Sequence, residues 1–158
     1  MPTVLLVSKA LAPPWNDSSK NLARDVAAGL DAYEPVVLGD GAGRWRPPRG
    51  RVEPLYAAPS AYAPGLSAQL RVLRRLALGR RESLWHFFFA PNPRSSLAGR
   101  ALATVRRAPT VQTVCSRPRD LAGARRLLFA DRTVVLSRHT RDALRDAGVP
   151  DERLALVP

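Results

Sequence analysis

TVVLSRHTRDALRDAGVPDERLALVP, residues 133–158, is the stretch that decides the fold. Residues 133–136 form a short apolar, β-branched run, as a buried strand requires. Ser137 comes next and is a natural N-cap, because its hydroxyl can accept from an open N–H of the first helical turn. Residues 138–147 then read as a helix, which Gly148 and Pro150 stop. A second apolar run, 154–157, follows at once. Strand, helix and strand in so short a span make the crossover that joins parallel strands.

The same alternation runs back to the N-terminus. Residues 3–7 are continuously apolar, as in a strand covered on both faces. Pro13-Pro14 breaks any helix in the polar loop 9–17. Asp17 or Ser18 can cap the helix beyond it, where Leu22, Val26 and Leu30 share a face. Further strands are predicted at 35–38, 52–56, 84–89 and 110–114. Between them a helix is predicted over 66–78. In it Leu66, Leu70, Leu73 and Ala77 make one stripe, and Arg71, Arg74 and Arg75 cluster on the opposite side. Ser95 or Ser96 opens another helix, through Leu97, Ala101 and Val105, and a short one lies around 121–128. Seven strands with helices between most of them predict an α/β, doubly wound, Rossmann-like parallel sheet. Ligands of such sheets sit outside the carboxyl ends of the strands. The loops of interest are therefore 8–18, 90–95, 115–119 and 137–139.

Composition fits one globular domain. The chain has 158 residues, 46% of them hydrophobic and 24% charged, which excludes disorder, collagen or coiled coil as a global description. One cysteine, Cys115, excludes a disulfide framework and a cysteine-based zinc cluster, and no metal site is expected. No apolar run approaches the ~18 residues of a membrane span. The apolar run 4–7 is too short for a signal peptide, so the expected compartment is the cytoplasm. The formal net charge is +12. It is concentrated in the middle, where residues 41–81 hold nine Arg against Glu53 alone. The glycines 39, 41 and 43 alternate after a strand, but Arg44-Trp45-Arg46-Pro47-Pro48 follows them instead of a helix. That is a surface loop and not a dinucleotide fingerprint.

Segment 133–158 resembles a recurrent stretch of the retaining family-4 glycosyltransferases of GT-B architecture. There a strand ends in Ser, a helix follows, then Gly-Val-Pro, an Arg, and a strand ending in Val-Pro. The opening strand, its Pro-Pro loop and the helix with Leu22-Ala23 and Leu30 are similar to the family's first unit. Residues 84–96 are similar to its fourth strand and following loop. The resemblance implies that 1–158 is the N-terminal, acceptor-side domain, a single half of a GT-B fold. The partner would be a C-terminal domain, outside this sequence, that holds a nucleotide-sugar donor. The implied reaction moves a sugar to a hydroxyl of a sugar or lipid-linked acceptor, with this half nearly inactive alone and no further cofactor. The sequence departs from the family in three places. Asn16-Asp17-Ser18-Ser19 stands where paired glycines are frequent. His86 holds the first position of a common His-x-His pair, but Phe88 holds the second. Cys115 stands where a His is frequent.

The candidate residues carry two readings each. His86 is either the catalytic histidine or a buried one satisfied by backbone. Asn16, Asp17, Ser18 and Ser19 either cap a helix or meet a substrate. Asn92 sits on a rigid loop between two prolines at the ligand end of the sheet. Cys115 is a small hydrophobe or, with Ser116, a ligand contact. Ser137 is a cap or a substrate contact, and Arg138 and His139 beside it are candidate cleft residues. Arg71, Arg74 and Arg75 form a solvated face, or a patch for anionic lipid that would keep the protein on the inner face of the membrane. Nucleic acid is not expected, since no helix-turn-helix, RRM, KH or zinc pattern accompanies the charge. The alternative to a transferase half is a free-standing α/β module that docks its basic face on a membrane or another polyanion.

Overall fold

The computed structural model describes residues 1–57, 64–89, 92–118 and 120–157. Residues 90–91 and 119, in two of the loops expected at the ligand end, lie outside the described residues. The chain forms two compact units, Met1–Phe88 and Phe89–Pro158. Among the described residues seven strands are found, parallel in every described pairing within the units, and helices separate most of them, which is the Rossmann-like α/β class.

The first unit holds β1 (Thr3–Val7), α1 (Ser18–Gly29), β2 (Glu34–Asp40), β3 (Arg51–Tyr56), α2 (Leu66–Leu78) and β4 (Leu84–Phe87). Its strands lie in the order β3-β2-β1-β4. Register sets Leu6 beside Val37 on one side and His86 on the other. Side chains alternate across a strand, so Val4, Leu6, Val37 and Phe88 face α1, while Leu5, Val36 and Leu38 are buried on the other face. The innermost apolar residues of α1 are Ala23 and Ala27, with Leu22, Val26 and Leu30 on its shoulders. The small residues let helix and sheet approach, and the large ones close the flanks.

β2 runs on through Gly39 and Asp40, so the expected glycine loop begins only at Gly41. It is not fully solvated either, because Pro47 is buried and Trp45 packs on the core. Gly50 leads into β3 at φ +83°, and a Cβ there would collide with the Pro35 carbonyl oxygen, so only glycine fits.

α2 has the expected length and the opposite facing. Ala68 and Leu76 are buried and Val72 is half-buried. The anticipated inner stripe is outside: Leu66 is 77% exposed, Leu70 65% and Leu73 36%. Arg75 decides this. Its side chain is only 10% exposed and binds Glu53 of β3 and Glu82, which is 1% exposed. Two carboxylates behind the helix hold the guanidinium inward, and the leucine stripe turns out. Burial would raise the Glu53 carboxyl, but the hydrogen bond from Arg75 brings it down. Arg75 therefore leaves the expected basic patch, and Arg71 and Arg74 remain exposed on α2.

The second unit holds α3 (Pro93–Arg106), β5 (Thr110–Val114), α4 (Ala124–Leu127), β6 (Arg132–Val135), α5 (Arg138–Asp146), a single 3-10 turn (Asp151–Arg153) and β7 (Leu154–Leu156). Its strands lie in the order β5-β6-β7. Val114, Val135 and Leu154 pack with Leu128, Leu144 and Val149. α3 starts earlier than Ser95 or Ser96, because Asn92 caps it and Pro93 occupies its first turn. Its buried residues are Ser96, Gly99 and Ala103, not Leu97, Ala101 and Val105. Gly99 lies against the Phe129 ring, where a Cβ would clash. α5 ends as expected. Gly148 takes φ +85°, its N–H donates to the Arg145 carbonyl at 2.8 Å, and Val149 donates to Leu144 at 3.0 Å.

Replacing Arg75 by Met keeps much of the side chain's volume and strands Glu82 without its cation. Urea unfolding should show a loss of about 3–5 kcal/mol. A loss within experimental error would mean that the ion cluster does not hold α2.

Candidate functional site

The first candidate region lies at the carboxyl ends of β1, β2 and β3. β1 delivers Ser8, and the chain then turns through Lys9 to Asn16 before Asp17 caps α1. Asp17 accepts from the Lys20 N–H at 3.1 Å, the Ser19 hydroxyl at 2.5 Å and the Lys9 ammonium at 2.5 Å. Burial alone would raise its carboxyl. The hydrogen bonds from Lys9, Ser19 and Lys20 outweigh that and bring it down to about 2. Lys20 is itself buried and donates to the Pro14 carbonyl at 3.0 Å, and Asn21 donates to the Trp15 carbonyl at 3.3 Å. Burial lowers the Lys20 ammonium from its ordinary range. The Trp15 ring lies under Lys20 at 5.4 Å and under Arg24 at 4.9 Å, and meets Trp45 edge-on at 5.8 Å. Tyr56, at the end of β3, donates to the Ser8 carbonyl at 2.5 Å. Its burial holds the phenol protonated, well above the usual range.

This loop is fastened at several points by groups the sequence reading passed over: Lys9, Lys20, Trp15 and Tyr56. Asp17 spends its oxygens inside the loop. Asn16 and Ser18 are exposed on it, and Ser19 is half-buried. At the end of β2, Asp40 is buried and holds Arg44 at 2.8 Å. The acid-to-Arg spacing of four is visible in the sequence, but it falls where a surface loop is expected, and the structure places Asp40 in β2.

His86 is placed by β4, beside Leu6 of β1, on the face that α1 covers. Its ring stacks on Phe88 with centroids 4.1 Å apart. Burial lowers the imidazole to about 4, so it is neutral at pH 7.

The second unit has its own region at the carboxyl ends of β5 and β6, which Val114 and Val135 bring side by side. Cys115 is half-buried just past β5, and Ser116 is exposed. Ser137 caps α5, accepting from the Thr140 N–H at 3.1 Å. Arg138 and His139 are exposed on the first turn. Arg117, which the sequence reading did not single out, lies 3.2 Å from the His139 Nε2. These two line an open cavity of about 500 Å³ with Leu121, Asp142 and Asp146. Asn92 is exposed and accepts from the Ser95 N–H at 2.9 Å as the cap of α3. Asparagine before proline at a helix start was the available signal for that cap. Among the described residues, no group of three or more His, Cys, Asp or Glu is arranged to hold a metal ion.

No protein-family model matches the chain, and no curated protein does. Solved structures do. Anabaena HepE in complex with UDP and glucose has a TM-score of 0.65 at 15% identity, over 99% of this chain and 44% of that one. HepE in complex with UDP-glucose gives 0.64 at 16% identity. UDP-N-acetylglucosamine 2-epimerase from Rickettsia bellii gives 0.57 at 12% identity, again over 99% of this chain and 44% of that one. At these identities the likeness shows the fold: a Rossmann-like domain corresponding to one half of a GT-B protein. The chain spans less than half the length of these neighbours.

Two acid-induced losses of stability follow, in separate windows. A neutral, half-buried His86 favours the fold fully above its unfolded value of about 6.5, and that support is lost as pH falls towards 4. The loss is about 3 kcal/mol by pH 4, and His86→Leu should flatten it. The Asp17 support holds above about 4 and disappears as pH falls towards 2. Urea titrations at stepped pH separate the two. A parent protein equally stable at pH 7 and pH 4 would contradict the His86 environment. At pH 7, Asp17→Ala should cost about 1–2 kcal/mol through the lost cap.

Proposed function

We propose that this chain is the N-terminal, acceptor-side half of a two-domain glycosyltransferase, which moves a sugar from a nucleotide-sugar donor to a hydroxyl acceptor. The supporting observation is the fold match over 99% of this chain to less than half of HepE, a protein solved with UDP and glucose and with UDP-glucose. The resemblance of residues 133–158 to the family-4 enzymes supports a retaining reaction. The donor-binding domain is then the partner, and the acceptor is a sugar or a lipid-linked sugar.

In this reading the carboxyl-end loops supply the acceptor contacts. Asn16, Ser18 and Ser19 present hydroxyl and amide groups on a fastened loop, with Asp17 holding the loop's shape. In the second unit Ser116 and Ser137 would offer hydroxyls, Cys115 a thiol, Arg138 a guanidinium and Asn92 an amide. His86, neutral at pH 7, would serve as a hydrogen-bonding group and not as a charge. The chemistry asked of this half is positioning. Holding two reactants in line lowers a barrier by roughly 7–11 kcal/mol, and one half alone holds only one reactant.

The test is UDP release from UDP-glucose and UDP-N-acetylglucosamine in the presence of hydroxyl acceptors. It is run on the chain alone and on the chain joined to a donor-binding domain encoded with it. Release should be near background for the chain alone and should rise by orders of magnitude for the joined protein. Asn16→Ala and Ser116→Ala in the joined protein should raise the acceptor KM. Full turnover by the chain alone would overturn the proposal.

A further inference from the structure

The outward face of α2 is where this molecule departs most from an ordinary soluble surface. Leu66, Leu70 and Leu73 are exposed along it, and Leu78, at its end, is 75% exposed. They are not core residues left over from poor packing, because Ala68, Leu76 and Arg75 fill the inner face of the same helix. Arg71 and Arg74 are exposed on the outer half, and Arg80 and Arg81 are exposed just beyond the helix. α2 itself contains no acid, and the nearby carboxylates of Glu53 and Glu82 are bound to Arg75. The face is therefore apolar and singly charged in sign.

We propose that the outer face of α2 docks on an anionic lipid bilayer, with its leucines in the headgroup boundary and its arginines on the phosphates. The helix has 13 residues, about 20 Å, long enough to lie in the interface plane. Among the described residues no helix is long and apolar enough to cross a membrane, so the attachment is peripheral. Charge selects the occupant. A second copy of this chain would bring Arg71 and Arg74 against the same arginines, whereas a bilayer of anionic lipid offers leucine-compatible tails and arginine-compatible headgroups together. The proposal concerns a different surface from the carboxyl-end loops and does not depend on the transferase reading.

The experiment is co-sedimentation of the 158-residue chain with phosphatidylglycerol-containing vesicles and with pure phosphatidylcholine vesicles, from low to high salt. Binding should need the anionic lipid and should weaken as salt rises. Arg74→Gln should weaken it about fivefold, and Leu66→Gln with Leu70→Gln by at least about tenfold, with unchanged circular dichroism. Leu70→Trp gives a second readout, because brominated phosphatidylglycerol should quench the emission of the added indole. Equal binding to neutral vesicles would overturn the proposal. So would variants that bind like the parent, an added indole whose emission brominated lipid leaves untouched, or leucine-dependent self-association in the ultracentrifuge without vesicle binding.

Discussion

Arg75 binds two carboxylates at once, and the outward face of α2 follows from that choice. A guanidinium has five donors in a rigid plane, so it can satisfy Glu53 and Glu82 together where a lysine would serve one at a time. Glu82 is almost wholly buried and also accepts from the Trp85 indole at 3.4 Å. An ionised carboxylate in that place would be costly without a cation beside it. Once Arg75 is committed inward, the 3.6-residue period of the helix assigns every other position. Ala68, Val72 and Leu76 go in with it, and Leu66, Leu70 and Leu73 go out.

That assignment explains which parts of the fold were legible in the sequence. Element order was, because strands covered on both faces read as short apolar runs, and Ser137, Asp17 and Gly148 mark helix ends by local chemistry. Facing was not. α2 offers two stripes of similar quality, and a period count prefers the leucines, since it cannot see that Glu53 lies 22 residues upstream in sequence but beside Arg75 in space. α3 misleads in the same way. Leu97, Ala101 and Val105 look like a core stripe, yet the helix sits so close to Phe129 that glycine and alanine take the inner positions. In α3 small residues face inward where large ones were expected, and in α2 a buried ion cluster takes the place of the leucine stripe.

The candidate sites were legible to a similar depth. Strand ends are visible in sequence, so the loops after β1, β5 and β6 could be named. What fastens them could not be named, since Tyr56 reaches Ser8 from 48 residues away and Arg117 reaches His139 from 22. These long-range contacts change what the loop residues can do. Asp17 reads in the sequence as a cap or a substrate contact, and its oxygens are taken up by the cap, Ser19 and Lys9. His86 reads in the sequence as a catalytic or a buried histidine, and its surroundings hold it neutral.

The excess of positive charge also acquires a location. Of the arginines in residues 41–81, Arg44, Arg49, Arg51 and Arg75 are each matched to an acid: Asp40, Asp31 and the Glu53–Glu82 pair. Arg71 gives its Nε to the Leu55 carbonyl, which neutralises no charge. Among the described residues Arg46, Arg74, Arg80 and Arg81 have no acid partner in an ion pair. Apart from Arg46 in the loop before β3, what remains uncompensated in this segment therefore gathers on and just after α2, next to its exposed leucines. Net charge by itself would hold a protein near any polyanion. Net charge set beside apolar surface, on one helix face, selects a partner that is both anionic and greasy.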